Sequence, residues 1–274
     1  MVFISIMVCI SLYGQNLYFN TRNDLNPASW SGDTTGNYLT AVSIHNKFVE
    51  NDVWSQPLSA SFQHLGKINS ISSFYSAGYR LSGNSYSNTH RIYAGFAYQW
   101  ILPKTNRLHF GIKGIFDFHR VRWNDISFLP DETRPKTYFL PDLDIGFQYQ
   151  VVGLTVGLSG KFLFSSSKKI EDETFIQNRR LWHAYVSYAF DIRRKVVISP
   201  FALFYFSRSF SFDVGAYVAL FDRVSVSYTF DLFSLRHSYY AGVRIYRGLR
   251  LGIGVDHSQI YSDINGGLWA GFSF

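Results

Sequence analysis

This sequence lacks the features on which many secreted and helical membrane proteins depend. Its 274 residues include one cysteine, Cys9, so a framework of internal disulfides is excluded. After the first fourteen residues, no stretch approaches the roughly twenty apolar residues of a transmembrane helix, which excludes a helical membrane protein. The net charge of +7 comes from scattered basic residues, so contact with acidic lipid headgroups explains it better than nucleic-acid binding does.

The first fourteen residues have the composition of a signal peptide, although a positively charged start is missing. A short apolar stretch is followed by Ser11, Tyr13 and Gly14. We expect cleavage near Gly14 and Gln15, with the true initiator upstream of Met1 or misassigned. Cys9 would then be removed with the leader, and the mature chain would contain no cysteine.

The chain is rich in aromatic residues that alternate with polar ones. Phe, Tyr and Trp make up 19% of the sequence, yet the mean hydropathy is only −0.03. Residues 223–232 are typical, because every second residue is apolar: Val224, Val226, Tyr228, Phe230 and Leu232. A period of two over about ten residues predicts a strand between an apolar and a polar medium, at the length that crosses a bilayer.

This alternation recurs in about fourteen segments, an even number that predicts a closed antiparallel transmembrane β-barrel in the outer membrane. The predicted strands are 37–46, 56–64, 70–80, 89–101, 105–118, 138–150, 153–164, 181–192, 195–206, 208–220, 223–232, 237–247, 249–258 and 265–274. With one exception near Ser207, longer gaps follow odd-numbered strands and shorter gaps follow even-numbered ones. Since bacterial barrels have short periplasmic turns and longer outer loops, we expect both termini to be periplasmic. The charged loops 119–137 and 165–180 would then lie at the outer rim.

Charged residues on the polar strand faces are expected to point into the lumen. Charges of both signs in a narrow interior pair with one another, because an unpaired buried charge costs several kcal/mol. We expect a network that fills or braces the barrel, with a weakly selective conducting pore as the alternative. Its predicted members are Lys113, Asp117, Asp144, Lys161, Asp213, Arg223, Asp231, Arg244 and Asp256.

Catalytic and cofactor motifs are not recognisable. The eight histidines are spread over many predicted strands, and none has the spacing of a metal site such as H-E-x-x-H. An outer-face Ser and His pair, as in membrane phospholipases, is the enzyme that this architecture would best allow. We expect no enzyme activity, no metal and no cofactor.

The segment before the first predicted strand, residues 15–36, is rich in turn-forming residues. Within it, residues 25–32 read Leu-Asn-Pro-Ala-Ser-Trp-Ser-Gly, and Pro27 holds Asn26 extended. We expect an ordered, irregular segment on the periplasmic side, packed against barrel turns or a partner. Its candidate docking residues are Leu25, Asn26, Pro27, Ala28 and Gly32.

This segment resembles the Leu-Asn-Pro-Ala-x-x-x-Gly signature of the PorP/SprF family of Bacteroidetes outer-membrane proteins, which is associated with type IX secretion and gliding. Residues 45–48, 56–61, 197–203 and 224–231 resemble family segments in the same order along the chain. Lys47 and Phe48 depart from the common Gln and Trp, as expected of a divergent branch.

The resemblance implies a barrel that is neither an enzyme nor chiefly a transporter. Family members act as outer-membrane anchors that attach periplasmic lipoproteins of the secretion machinery or hold secreted adhesins at the cell surface. Outer-membrane lipids and other type IX secretion proteins are the expected partners, with no nucleic acid. The predicted organisation is a signal peptide at 1–14, a periplasmic segment at 15–36 and a barrel at 37–274. A channel for small solutes or hydrophobic ligands is the main alternative, and an outer-membrane hydrolase is a third.

Overall fold

The computed structural model describes residues 22–29, 38–48, 58–68, 71–83, 87–103, 106–121, 136–170, 173–193, 195–246, 248–259 and 264–273. The predicted signal peptide, most of segment 15–36 and most of loop 119–137 lie outside these residues. The described barrel strands run from residue 38 to residue 273.

One short helix and seventeen strands make up the regular structure of the described residues. They are α1 (Arg22–Leu25), β1 (Tyr38–Phe48), β2 (Leu58–Ile68), β3 (Ser73–Gly83), β4 (Ser87–Ile101), β5 (Arg107–Val121), β6 (Lys136–Val151), β7 (Leu154–Lys161), β8 (Ser167–Ile170), β9 (Glu173–Gln177), β10 (Leu181–Tyr188), β11 (Phe190–Ile192), β12 (Val196–Phe206), β13 (Phe210–Leu220), β14 (Val224–Asp231), β15 (Arg236–Tyr246), β16 (Leu249–Ser258) and β17 (Ile264–Ser273). Within this part of the chain, no helix is both long and apolar enough to cross a membrane.

The strands close into an antiparallel barrel whose wall has fourteen strand positions, which we call staves. This confirms the predicted fold. β10 and β11 both pair with β12 and form one stave interrupted at Ala189, and β8 and β9 form a separate hairpin. β1 pairs with β17, from Leu39 opposite Ser273 to Phe48 opposite Ile264, and this pairing closes the cylinder. The start of β1 and the end of β17 therefore lie at the same rim, which we call the termini end. The opposite rim, which carries the β8–β9 hairpin, is the loop end.

Alternation along each stave separates an apolar outer face from a polar inner face. On β5, the inner positions His109, Lys113 and Asp117 are buried, whereas Ile112 and Phe116 on the other face are exposed. The same holds for Ile253, 52% of whose surface is exposed on the outer face of β16, while Asp256 is buried inside. A large apolar side chain is stable in such an exposed position only if lipid covers it.

Aromatic side chains cluster on the outer face near both rims. At the loop end, the rings of Phe204 and Phe212 stack with centroids 4.5 Å apart, and those of Tyr228 and Tyr239 lie 5.2 Å apart. At the termini end, Tyr98 packs against Trp100, with ring centroids 4.8 Å apart. Aromatic belts at two levels are typical of the two interfaces of a bilayer.

Candidate functional site

An N-terminal segment occupies the lumen, and we call its described part, residues 22–29, the plug. Asn23, Asn26, Ala28 and Ser29 are almost completely buried there. The expectation that this segment packs against periplasmic turns is therefore wrong for residues 22–29. Contacts with the inner faces of β5, β6 and β7 bury them.

A tight turn gives the plug its shape. The Asn26 carbonyl accepts a hydrogen bond from the Ser29 backbone amide at 2.9 Å, and the Asn26 side-chain oxygen accepts one from the Ala28 amide at 2.8 Å. Pro27 lies at the second position of this turn, where its fixed φ angle is favourable. The Asn23 side-chain amide donates to the Ser29 carbonyl at 3.1 Å, so the helix and the turn are joined. The Asn-Pro-Ala sequence thus supplies hydrogen-bond partners for several of its own buried backbone groups.

Three neighbouring staves hold the plug through its polar atoms. The Asn26 side-chain amide donates to the Phe147 carbonyl of β6 at 2.8 Å. The Ser159 hydroxyl of β7 donates to the Leu25 carbonyl at 2.7 Å, and the Lys113 ammonium of β5 donates to the Asn23 carbonyl. The last two bonds serve carbonyl groups that a four-residue helix leaves without helical partners.

Two glycines make room for the plug on the barrel wall. Gly111 on β5 and Gly146 on β6 are direct cross-strand partners on the inner face. A Cβ atom on Gly111 would overlap the backbone of Pro27 and Ala28, and one on Gly146 would overlap the side chain of Asn26. The plug backbone can approach the wall this closely only because neither strand residue carries a side chain.

Charged groups connect the plug to the loop half of the lumen. Asp24 of the plug forms an ion pair with Arg80 of β3. Burial alone would raise the pKa of the Asp24 carboxyl, but Arg80, Lys113, Lys161 and Arg91 together outweigh burial and hold this pKa below its ordinary value. Asp24 is therefore the anion that a group of four cations surrounds.

A second ion pair lies deeper in the same wall. Arg91 of β4 donates from Nε and one terminal nitrogen to both carboxylate oxygens of Asp117, each at 2.7 Å. The Asn178 side-chain amide donates to the same carboxylate at 3.1 Å, and the Phe162 ring lies 4.8 Å from the Arg91 guanidinium carbon. The Asp117 side chain is fully buried, so this arrangement supplies the partners that a buried charge requires.

The chain leaves the wall after β7 and turns inward, so part of the predicted outer loop 165–180 lies against the lumen. The Phe162 amide donates to Asp144 at 2.9 Å, and the Phe164 amide donates to Asp142 at 3.0 Å. Phe162 is 1% exposed and packs against Tyr93 and Ile115. This inward turn covers the plug's neighbours from the loop end.

The structure places the nine predicted lumen charges in three groups. Six of them are buried on the inner face: Lys113, Asp117, Asp144, Lys161, Asp213 and Asp256. Asp231 is partly buried and caps the β14–β15 turn, where its carboxylate accepts hydrogen bonds from Phe233 and Ser234. Arg223 and Arg244 lie at the termini end instead, Arg223 in an exposed turn and Arg244 in an ion pair with Asp222.

The partners of these charges differ from the sequence prediction. Mutual pairing was expected, but Asp117 pairs with Arg91, and Lys113 binds the plug carbonyl of Asn23. Lys113 and Asp144 are cross-strand neighbours, yet Asp144 accepts its hydrogen bond from the Phe162 amide. The plug and the inward turn bring backbone donors and acceptors into the lumen. The charged groups therefore bind these backbone groups instead of one another.

Of the five predicted docking residues, Leu25, Asn26, Pro27 and Ala28 lie in the plug, and Gly32 lies outside the described residues. Sequence reasoning missed the plug residues Asn23 and Asp24, and it missed the wall residues that hold the plug: Arg80, Gly111, Gly146 and Ser159. It also missed Arg91 and Asn178, which bind Asp117. Glycines at inner positions of two successive strands were the available signal, because strand glycines mark a close approach of another backbone.

A closed fourteen-stave barrel with an apolar outer face and buried charged residues on its inner face defines an outer-membrane β-barrel protein. Comparison with solved structures places it among such barrels. It is similar to Omp33 of Acinetobacter baumannii, with a TM-score of 0.59 and 10% identity, over 87% of this chain and 98% of that one. The monoaromatic hydrocarbon channel CymD gives 0.63 and 9%, over 92% of each chain. The Ralstonia pickettii toluene transporter TbuX gives 0.59 and 8%, over 91% of this chain and 92% of that one.

The sequence itself identifies the family. Residues 15–269 match the family model of the type IX secretion system membrane protein PorP/SprF, so the chain belongs to the PorP/SprF family. The family resemblance found in the sequence is thereby confirmed, and with it a secretion-related role in the outer membrane. No curated protein matches the chain.

Proposed function

We propose that this protein is a non-catalytic outer-membrane anchor of the type IX secretion and gliding machinery. It would dock periplasmic lipoprotein components or retain secreted adhesins at the cell surface. The observation that carries this proposal is the plug, which lies in the lumen and is bonded to β5, β6 and β7. A barrel with a segment of its own chain bonded to its inner wall is suited to be a rigid platform.

The energetics of the plug favour a permanent structural role. Ordering each residue of a chain costs roughly 1–2 kcal/mol of backbone entropy, so the contacts of an ordered segment must offset this cost. The plug has such contacts in its hydrogen bonds to the wall, its ion pair with Arg80 and the fit against Gly111 and Gly146. An anchor benefits from this rigidity, whereas an open pore would require the same space to be free.

We infer that the termini end faces the periplasm. The β8–β9 hairpin and the long connection between β5 and β6 are at the loop end, and outer-membrane barrels carry their longer connections outside the cell. Periplasmic partners would then approach the rim at which β1 begins and β17 ends.

Two buried residues support the absence of catalysis. The Ser159 hydroxyl lies 3.5 Å from His183 Nδ1, a pair that could in principle form a nucleophile and its base. The Ser159 hydroxyl, however, donates its hydrogen bond to the Leu25 carbonyl, and both side chains are buried beside the plug. We interpret the pair as part of the seat of the plug.

A channel for small solutes or hydrophobic ligands remains the second candidate. It is favoured by the names of CymD and TbuX, a hydrocarbon channel and a toluene transporter. Their identity to this chain is 9% and 8%, a similarity that extends to the fold alone. The buried inner-face side chains here include Lys113, Asp117 and Asp144, a polar surface that does not suit an apolar solute.

Two measurements on the full-length protein distinguish these functions. An affinity-tagged copy, purified in mild detergent from native membranes, should retain other type IX secretion proteins. The purified protein in planar bilayers should show little steady conductance. Capture of no secretion component would overturn the anchor proposal, and large stable open-channel currents would favour the channel.

A further inference from the structure

The barrel wall is uneven at its loop end. β4 and β5 have 15 residues each and β6 has 16, whereas β12, β13 and β15 have 11 each and β14 has 8. A strand rises about 3.3 Å per residue, so a difference of about four residues is roughly 13 Å along the strand. We call β4–β6 the high wall and β12–β15 the low wall. Short turns at residues 207–209 and 232–235 close the low wall at this end.

Large apolar side chains cover the edge of the low wall. Phe206 and Phe210 flank the first turn, and Leu232, Phe233 and Leu235 belong to the second. All five are exposed, Phe233 most of all at 59%. The Phe233 ring packs nearly perpendicular to the Phe210 ring, with centroids 5.7 Å apart, so the two turns share one apolar edge. We call these five residues the low rim.

The low rim continues the outer face that lipid covers. Ser211 is buried inside the barrel, so its neighbour Phe210 points outward. The Phe210 ring lies 6.1 Å from that of Phe204, which stacks on Phe212 in the aromatic belt at the loop end. Apolar contact therefore extends from the aromatic belt to the tips of the turns.

The high wall ends in polar side chains instead. Asn88, Arg120 and Thr137 are direct cross-strand partners in one row across β4, β5 and β6, on the outer face near the loop end. The apolar surface of this wall stops below the row, at Phe118 and Phe139. A polar row of this kind marks the level at which a barrel leaves the hydrocarbon. The high wall therefore rises out of the bilayer, whereas the low wall has apolar side chains up to its last turn.

Hydrogen bonds fix the shape of the second turn. The Asp231 carboxylate accepts from the Phe233 amide at 2.9 Å, and it also accepts from the Ser234 amide and hydroxyl at 3.3 and 2.5 Å. Leu235 has a φ angle of +46°, which is rare for a bulky residue. The turn thus holds apolar side chains outward at a cost in backbone strain, and such strain is common where a segment has a function.

Polar side chains beside the low rim are compatible with the edge of a bilayer. His237 lies on the outer face of β15, where the Tyr228 hydroxyl and the Gln259 amide hydrogen-bond its two ring nitrogens at 2.8 and 3.2 Å. Arg208 is exposed in the first turn. A long arginine side chain can lie along apolar surface and extend its guanidinium to the headgroups. Such groups are typical of the boundary between acyl chains and headgroups.

We propose that the low rim is immersed in the leaflet at the loop end, among the acyl segments next to the lipid headgroups. Lipid is the occupant that the contacts favour, because the rim is continuous with the outer face that lipid already covers. The barrel then stands in the bilayer with one low side and one high side. A bilayer becomes thinner beside a shorter apolar wall, so the leaflet is depressed next to β12–β15. This inference does not depend on the anchor function.

Spin labels measure the depth of the low rim in vesicles of phosphatidylcholine and phosphatidylglycerol. The full-length chain with Cys9→Ser receives one new cysteine for a nitroxide label, at Phe233→Cys in the rim or at Arg120→Cys on the high wall as the matched control. Oxygen concentrates among acyl chains, whereas a nickel chelate stays in water. The label at position 233 should collide more with oxygen, and the label at position 120 more with the chelate. Leu232→Cys provides a second rim position if Phe233→Cys does not fold.

Other occupants of the low rim give different results. Equal access of the nickel chelate to positions 233 and 120 would overturn the proposal and leave the rim as a water-exposed surface for a protein partner. A second copy of the chain would shield the rim label from both oxygen and chelate, and it would broaden the spectrum until unlabelled protein is added in excess. That result would also overturn the proposal, in favour of a dimer. Neither measurement requires a secretion component, so the anchor function is tested separately.

Discussion

Gly111 and Gly146 are partners across the β5–β6 pair, and the turn that contains Asn26 and Pro27 lies directly on them. Because these two wall residues have no side chains, the plug can pack against the wall at this position. The relationship can be tested one methyl group at a time.

Gly146→Ala should displace the plug without unfolding the barrel. The added Cβ would overlap the Asn26 side chain, and overpacking of this kind costs about 1–3 kcal/mol. We expect a lower melting temperature in detergent and a higher conductance in bilayers, and the same from Gly111→Ala. Gly114→Ala is the matched control on β5, because its Cβ would meet only ordinary contacts at 3.9 Å. Identical melting temperatures and conductances for Gly146→Ala and Gly114→Ala would contradict the fit described here.

Removing one partner of the buried Arg91–Asp117 pair should destabilise the barrel strongly. Arg91→Met or Asp117→Leu leaves an uncompensated buried charge, which costs about 3–5 kcal/mol. The double variant should lose less stability than the two single losses added together, as a double-mutant cycle of urea unfolding would measure.

The exposed pair at the termini end provides the comparison for that cycle. The Asp222 side chain is 57% exposed, so Asp222→Asn should change stability by about 0–1 kcal/mol. If this variant and Asp117→Leu were equally destabilised, burial would not be the property that sets the strength of these pairs.

Acid should loosen the plug through Asp24. Its pKa is lower in the folded protein than in the unfolded chain, so its contribution to stability is fully present above the unfolded pKa, near 3.8. That contribution is lost as the pH falls through the lower folded value. Native protein should therefore exceed Asp24→Asn in unfolding free energy at pH 7, and the difference should shrink below about pH 4. A difference that stays constant between pH 7 and pH 2 would exclude Asp24 as the titrating group.

Charge on the outer face should cost stability according to depth. Ile253 lies in the middle of β16, and Ile253→Arg should cost about 2–4 kcal/mol, because the bilayer centre cannot solvate the guanidinium. Tyr246→Arg, at the end of β15, should cost about 0–1 kcal/mol. Unfolding in lipid vesicles measures both values, and the reverse order would contradict the assignment of the outer face.

The barrel could be predicted from the sequence because each strand carries its own signal. Alternation placed all fourteen staves, and each predicted boundary lies within four residues of the observed one. Even the interrupted stave, predicted as 181–192, was recovered, since its pairing with β12 continues in the same register after Ala189 and the alternation is unchanged. A bilayer outside and a polar lumen inside impose the same period on every strand.

The plug could not be predicted in the same way. Asn26 bonds to Phe147, 121 residues away, and Ser159 bonds to Leu25, 134 residues away. No local periodicity records such contacts, and the turn composition of residues 15–36 is compatible with a surface segment as well as a buried one. Six of the nine predicted lumen charges are buried on the inner face, but their partners depended on a segment whose position was unknown.

The seat of the plug also has a consequence for biogenesis. β5 and β6 are consecutive in the chain, so Gly111 and Gly146 come together as soon as this one hairpin forms. The plug precedes β1, and the cylinder is sealed only when β1 meets β17 at the other end of the sequence. Its seat is thus complete in a half-assembled, open sheet. An insertion intermediate can acquire its lumen contents before the last seam closes, and the finished barrel need never exist as an empty tube.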